Sequence, residues 1–280
     1  MSHNSDIVST GKIAYLGPKG TYSQLAALEY FGEDAELLNC VSIDDVFSAV
    51  EGKHAVYGVV PVENSTEGAV NNTQDCLIDS SAKIIGEQVV SIEHSLLAQL
   101  GTSKSDVVKI ASHKQSLAQC RNYLSQNFPQ AEQIECSSNA EAAICAQGDP
   151  GTAAIASELA GQIYNLQSLE CRIQDKSNNR TRFLVLALQD AAPTGTDKTS
   201  ILVYTENKPG ALFRVLEPFE NLQLSLTKIE TRPSKKEAWE YVFFIDFEGH
   251  VEDETTKELF AVLGKGGVEV KLLGSYPISQ

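Results

Sequence analysis

Lysine and arginine are scarce in this chain: 22 against 37 aspartates and glutamates, for a formal charge of −15. The sequence pI near 4.7 argues against a nucleic-acid or anionic-membrane surface, where basic residues run in excess. Any cation meant for an anionic ligand has to be placed locally, against the overall field. No apolar run approaches the roughly 18 residues of a membrane span, and the opening MSHNSDIVST lacks the apolar stretch of a signal peptide. C-x-x-C pairs are missing too. The six cysteines (Cys40, Cys76, Cys120, Cys136, Cys145, Cys171) are scattered, as suits free thiols in a reducing cytoplasm better than disulfides or zinc. The five histidines have no ligand spacing, which disfavours metal catalysis. Neither a G-x-G-x-x-G fingerprint nor a P-loop follows the first strand, and no G-x-S-x-G elbow is present. Dinucleotide binding and serine-hydrolase chemistry lose ground accordingly.

What remains is an ordinary globular composition, 42% hydrophobic and 21% charged over 280 residues, enough for one large domain or two ordinary ones. QDAAPTGTDKTS, residues 189–200, collects Pro, Gly, Thr and Asp between two apolar strands and reads as a linker. The expected organisation is a frayed segment 1–11, a first domain 12–190, a linker 191–198 and a second domain 199–280. Before the linker, strand-like runs (KIAYLG, AELLNCVS, AVYGVVPV, VVKIAS, EQIEC, GTAAIA) alternate with helical ones, including a single helix over KQSLAQCRNYLSQNF. That alternation predicts an α/β fold with a mainly parallel sheet, whose ligands collect beyond the carboxyl ends of the strands. After the linker the order β-α-β-β-α-β predicts a ferredoxin-like α+β sandwich.

Four polar clusters lie at those strand ends. GPKGTYS (17–23) has flexible backbone, Lys19 and a helix start suited to an anion, though alone it reads as a capped turn. PVENSTEGAV (61–70) offers Glu63, Asn64, Ser65 and Thr66, or simply an Asx turn. SHKQSLAQC (112–120) holds Ser112, His113 and Gln115 where a capping histidine is commonplace. NNRTRF (178–183) sets Thr181 and Arg182 before the buried-strand run FLVLAL, and its plain reading is a solvated loop. Together they suggest one cleft.

These stretches, with GTAAIAS, KPGALFRVL and IETRP, resemble the monofunctional bacterial prephenate dehydratases over about residues 12–276. Lys114 stands where proline is common, and Thr231 where serine is frequent. The resemblance implies a two-lobed, periplasmic-binding-protein-like (type II) catalytic domain followed by an ACT domain. It implies a cytoplasmic lyase in phenylalanine biosynthesis, a homodimer or homotetramer built as a dimer of dimers. No cofactor, metal, nucleic-acid or membrane partner comes with it. The reaction is loss of carbon dioxide and water from prephenate to give phenylpyruvate, with L-phenylalanine as feedback effector at the ACT domain. Arogenate as substrate, and a non-catalytic amino-acid sensor, stay open as alternatives.

The family makes Thr181 the essential catalytic residue. A hydroxyl is a feeble acid, so its expected part is a positioned donor to the departing oxygen. Substrate contacts are expected from Asn64, Ser65, Thr66, Ser112, His113, Gln115, Arg182 and Phe183, with the Arg182 guanidinium gripping a carboxylate. Adjacent strand residues face opposite sides, so Thr181 and Arg182 both reach the substrate only if the strand has not yet begun there. Effector contacts are expected from Asn207, Gly210, Ala211, Leu212, Glu230, Thr231, Arg232 and Pro233.

Overall fold

The computed structural model describes residues 11–205, 208–234 and 241–279. Residues 1–10, where most of the frayed segment is expected, and Asn207 lie outside them. The chain forms two compact units. One runs to Thr73 and takes up again over Gln88–Phe183; the other joins Gln74–Glu87 to the residues from Leu184 onward.

The first unit is built of two lobes. In one, β1 (Ile13–Leu16), α1 (Tyr22–Phe31), β2 (Leu37–Cys40), α2 (Ile43–Glu51) and β3 (Tyr57–Asn64) alternate. A two-residue strand β4 (Gly68–Ala69), α3 (Asn71–Asp79) and β5 (Lys83–Ser91) follow. The chain crosses into the second lobe as β6 (Ser95–Gln99). It continues through β7 (Lys109–His113), α4 (Lys114–Gln119), α5 (Arg121–Asn127), β8 (Glu132–Cys136), α6 (Asn139–Gly148), β9 (Thr152–Ala156), α7 (Glu158–Ile163) and β10 (Leu166–Glu170). It returns as β11 (Arg180–Ala187), and α3, β5 and β11 all run across the division between the units.

The two sheets have the same strand order, β2-β1-β3-β11-β5 and β8-β7-β9-β6-β10. Apart from the short β4, which pairs with β3 off this path, each places its second, first and third strands, then the strand arriving from the other lobe, then its last. This is the two-lobed arrangement expected. The sheets are less uniformly parallel than the alternation predicts, because β6 enters its lobe from outside and runs antiparallel to both β9 and β10. Strands β5, β6 and β10 were not anticipated.

Local chemistry explains the elements. Ser42 and Asp45 close a reciprocal capping box on α2, whose Ile43, Val46, Phe47 and Val50 are buried. In the second lobe Ala142, Ala143 and Ala146 of α6 meet Ala154 and Ala156 of β9, small side chains that let helix and sheet approach closely. Ile110, Ile155 and Leu124 fill the opposite face of that sheet, each burial contributing about 1.5–3 kcal/mol. The single helix expected over 114–128 is two helices. The break falls at Cys120, because the Asp175 carboxylate accepts from the Asn122 and Tyr123 backbone N–H groups and gives α5 its own start.

The second unit holds β12 (Asp197–Thr205), α8 (Ala211–Asn221), β13 (Leu226–Pro233), β14 (Tyr241–Glu248), α9 (Glu254–Lys265) and β15 (Glu269–Pro277). These make a four-stranded antiparallel sheet, β13-β14-β12-β15, as the ferredoxin-like reading predicts. Helices α8 and α9 pack on one face over Val203, Phe219, Phe247 and Leu259. The other face meets the 74–87 segment. There the Lys271 ammonium donates to the carbonyls of Leu77, Ile78 and Ser80, which close the end of α3. Glu87 pairs with Lys198 and Asp75 with Arg232.

Candidate active site

A cavity of about 690 Å³ opens in the first unit and is lined from both lobes. Thr181, Phe183, Asn64, His113 and Gln115 line it, so five of the nine expected catalytic and substrate residues converge although they stem from three stretches of sequence. Helices α1 and α6 begin at its edge, with their N-caps Thr21 and Ser138 in the wall. The partial positive charge of helix N-termini faces whatever enters.

The other four do not line it. Arg182 does not: β11 has begun at Arg180, so its residues alternate, and Thr181 and Phe183 share the cavity side while Arg182 takes the other. The expectation of a guanidinium grip is therefore corrected. Ser112 is fully buried, and its hydroxyl lies 2.7 Å from the Ile155 carbonyl and 3.0 Å from Asn139 Oδ1, tying β7 to its neighbours. Ser65 and Thr66 are exposed and serve the turn itself: Ser65 N–H donates to the Arg180 carbonyl, and Arg180 N–H donates to Ser65 Oγ. Lys19 is exposed and also lies off the lining.

The centre of the site is an Asx turn. Asn64 Oδ1 accepts from Thr66 N–H at 2.9 Å, Thr66 Oγ1 at 2.6 Å and Glu67 N–H at 3.3 Å. Three donors on one oxygen fix the carboxamide's orientation. Its NH₂ must then face Thr181, and Nδ2 donates to Thr181 Oγ1 at 2.8 Å. In that bond Thr181 is the acceptor, so its own O–H is left as a donor.

Sequence reading missed a second cluster. His94, 1% exposed, lines the cavity from the crossover between β5 and β6. Its Nδ1 lies 2.9 Å from Tyr22 OH, and its Nε2 2.9 Å from Gln119 Oε1. Gln119 Oε1 also accepts from Asn179 Nδ2 at 3.1 Å, on the returning crossover. Burial holds the His94 pKa below its ordinary value, and the Gln119 hydrogen bond opposes this in part. His94 lies outside the four polar clusters, within SIEHSLLAQL, which reads as plain apolar chain. Only its place on a crossover gives it meaning.

Among the described residues no Lys, Arg, Asp or Glu lines the cavity. Its apolar wall is Leu16, Pro18, Val41, Pro61, Ile92 and Phe183, and the rest is hydroxyl, amide, thiol and imidazole. Nor does any group of His, Cys, Asp and Glu among the described residues form a metal cluster. Among the described residues no helix is long and apolar enough to cross a membrane.

In the second unit the expected effector residues divide between two faces. Glu230 and Arg232 alternate toward the side that meets 74–87, Glu230 pairing with Lys228 at 3.2 Å and Arg232 with Asp75 at 2.6 Å. Thr231 and Pro233 alternate to the helix side. Gly210 caps α8 in the left-handed region (φ 76°), with Ala211 and the partly exposed Leu212 behind it. Strand alternation thus divides residues 230–233 between the two faces of the sheet.

Comparison with known proteins matches this architecture. The prephenate dehydratase family model covers residues 13–191, and the ACT domain model covers 199–264. A bifunctional chorismate mutase/prephenate dehydratase of Aquifex aeolicus is 50% identical over 266 residues, 95% of this chain and 73% of that protein. The crystal structure of a prephenate dehydratase in complex with L-Phe from Arthrobacter aurescens aligns with TM-score 0.87 and 31% identity, over 95% of this chain and 90% of that one. A structure described as GqqA, a novel type of quorum quenching acylase, aligns with TM-score 0.88 and 27% identity over 96% and 98%. With the family model spanning the two-lobed unit and the relatives covering nearly the whole chain, this protein belongs to the prephenate dehydratase family of lyases and carries a C-terminal ACT domain.

Proposed function

We propose that Thr181 is the donor that assists departure of the ring hydroxyl of prephenate, and that Asn64 holds it in that role. The family's reaction is decarboxylative dehydration of prephenate to phenylpyruvate. The C–C bond to the ring carboxylate breaks, its electron pair completes the aromatic ring, and the C–O pair leaves with the hydroxyl, which takes a proton and departs as water. Hydroxide is a poor leaving group, so a hydrogen bond that strengthens as the C–O bond stretches lowers the barrier. The observation that carries this reading is the 2.8 Å bond from Asn64 Nδ2 to Thr181 Oγ1. A donor on that oxygen leaves the threonine proton for the substrate.

The same bond disfavours an acylase. A threonine nucleophile needs a base on its hydroxyl, and an amide NH₂ cannot accept that proton. Cys40, the thiol in the cavity wall, is held above its ordinary pKa by burial and by Asp45, the opposite of activation.

The substrate's carboxylates are placed at the starts of α1 and α6, among Ser23, Ser137, Ser138 and Asn139. Prephenate is preferred to arogenate, whose side-chain ammonium would enter a wall already facing those N-termini. L-Phenylalanine is assigned to the ACT domain near Gly210, and assembly to a dimer or a dimer of dimers, readable by analytical ultracentrifugation. A cytosolic location agrees with cysteines that are not joined in disulfides.

The test is turnover of purified protein, followed by phenylpyruvate absorbance with prephenate and with arogenate. Thr181→Ala should lower kcat about 10²-fold or more with KM little changed. A variant within a few-fold of wild type removes the role.

A further inference from the structure

The cavity described above takes a substrate with two carboxylates, yet among the described residues it offers no lysine or arginine. His94 is where the charge balance can be made. Three hydrogen-bond contacts surround it, and they contain a proton deficit. Gln119 Oε1 accepts from Asn179 Nδ2, so it faces His94 Nε2 as an acceptor and that nitrogen carries hydrogen. The Tyr22 phenol lies 2.6 Å from the Glu93 carbonyl and 2.9 Å from His94 Nδ1, and it has one proton for the two. If the ring is neutral, one of these contacts has no hydrogen in it. If the ring is an imidazolium, Nδ1–H donates to the phenol, the phenol donates to Glu93 O, and Nε2–H donates to Gln119. All three are then satisfied.

What opposes that state is burial without a counter-charge. The groups around the ring supply none. Glu93 is turned to Arg172 at 3.0 Å. Asp175 is committed to the first N–H groups of α5. The thiol of Cys120 is pushed up to about 12 by burial and Asp175. The phenol of Tyr22 is raised still further, by burial and then by Cys120 and Glu93, so it stays protonated. The remaining titratable ring in the wall is His113, whose Nδ1 caps its own helix by accepting from Gln115 N–H. The negative charge that the His94 imidazolium lacks is the charge the substrate brings.

We propose that His94 is the cation of this site, taking up a proton as the dianionic substrate enters and serving as its charge partner at the crossover between the lobes. The tie is mechanical as well as electrostatic. Tyr22 opens α1 in one lobe and Gln119 closes α4 in the other, and the imidazolium holds both. The free enzyme keeps the ring neutral at assay pH, and the complex keeps it charged. Binding and proton uptake are thereby linked.

The inference rests on prephenate being the occupant, and steady-state kinetics with prephenate between pH 6 and 9 separate the two claims. Wild-type kcat/KM should fall about tenfold per pH unit above the free-enzyme His94 pKa, while kcat holds level to higher pH because the bound substrate raises that pKa. His94→Gln should raise KM at least 10-fold at pH 6, carry the loss in KM rather than kcat, and flatten the kcat/KM profile. A wild-type profile that is flat despite good turnover overturns the proposal. So does a His94→Gln enzyme that keeps the wild-type slope. Absence of prephenate turnover by the wild type overturns the substrate assignment along with it. If circular dichroism shows His94→Gln to be unfolded, Tyr22→Phe decides: losing the acceptor of Nδ1–H must move the limb to lower pH, and an unmoved limb refutes the role.

Discussion

Asn64 presents its amide nitrogen to Thr181 Oγ1 at 2.8 Å, while its oxygen is held by Thr66 and Glu67. The turn therefore sets the direction of a hydrogen bond 117 residues away in sequence. Asn64→Asp is close to isosteric and keeps the acceptor that the turn needs, but it replaces the NH₂ by a second carboxylate oxygen. That oxygen captures the Thr181 proton. Turnover of prephenate should fall about 10²-fold in kcat, as for loss of the donor itself, with the fold intact by circular dichroism. Wild-type turnover in Asn64→Asp would show that the proton's direction is immaterial.

His94 also leaves a mark on stability. Its folded-state pKa is depressed by burial, so the unfolded chain binds the proton more tightly. The stability held by the neutral buried ring is complete above the unfolded value, about 6.5, and declines as pH falls from there toward the folded value. Urea denaturation at pH 7.5 and 5.5 should show wild type losing more stability on acidification than His94→Gln. Equal losses would mean that the ring titrates alike in both states.

Much of this site was legible beforehand, for a physical reason. Asn64 and His113 close β3 and β7, and Gln115 follows at once. In α/β lobes the carboxyl ends of the strands face the cleft, so sequence order gathers these three. Thr181, by contrast, stands at the opening of β11 and was singled out by the family resemblance. Arg182 failed because alternation depends on where β11 begins, and the polar lead-in concealed that Arg180 is already strand. Ser112 failed because a hydroxyl at a strand end serves the neighbouring strand as readily as a ligand. His94 was invisible because its partners come from residues 22 and 119 and no local pattern links them. Likewise β5, β6 and β10 read as unremarkable apolar chain, yet β5 and β6 flank a crossover that makes two lobes out of one domain.

The thiols provide a check on packing around the cavity. Cys120 is fully buried with its pKa pushed up to about 12, and burial raises Cys40 and Cys136 as well. At pH 8 a thiol of pKa near 12 is ionised to roughly one part in 10⁴, and the thiolate is the reactive form. An aromatic disulfide reagent should therefore label the exposed Cys145 and Cys171 first and reach Cys120 and Cys40 only on unfolding. Peptide mass mapping of a brief labelling distinguishes them. Early modification of Cys120 would contradict the packing at the break between α4 and α5.

Glu87 and Lys198 test the second unit. The Lys198 ammonium sits 3.0 and 3.2 Å from the two Glu87 oxygens, with side chains only 12% and 3% exposed, and Ser279 N–H adds a bond at 3.1 Å. Removing one member of a buried pair is worse than removing both, because the survivor keeps its desolvation cost without its partner. Lys198→Met should lower stability by about 3–5 kcal/mol, whereas Lys198→Met with Glu87→Leu should recover most of that loss. The second substitution then stabilises in the presence of the first, a coupling that a double-mutant cycle in urea reads directly. If the two losses simply add, the pair is not the fastening that joins residues 74–87 to the ACT sheet.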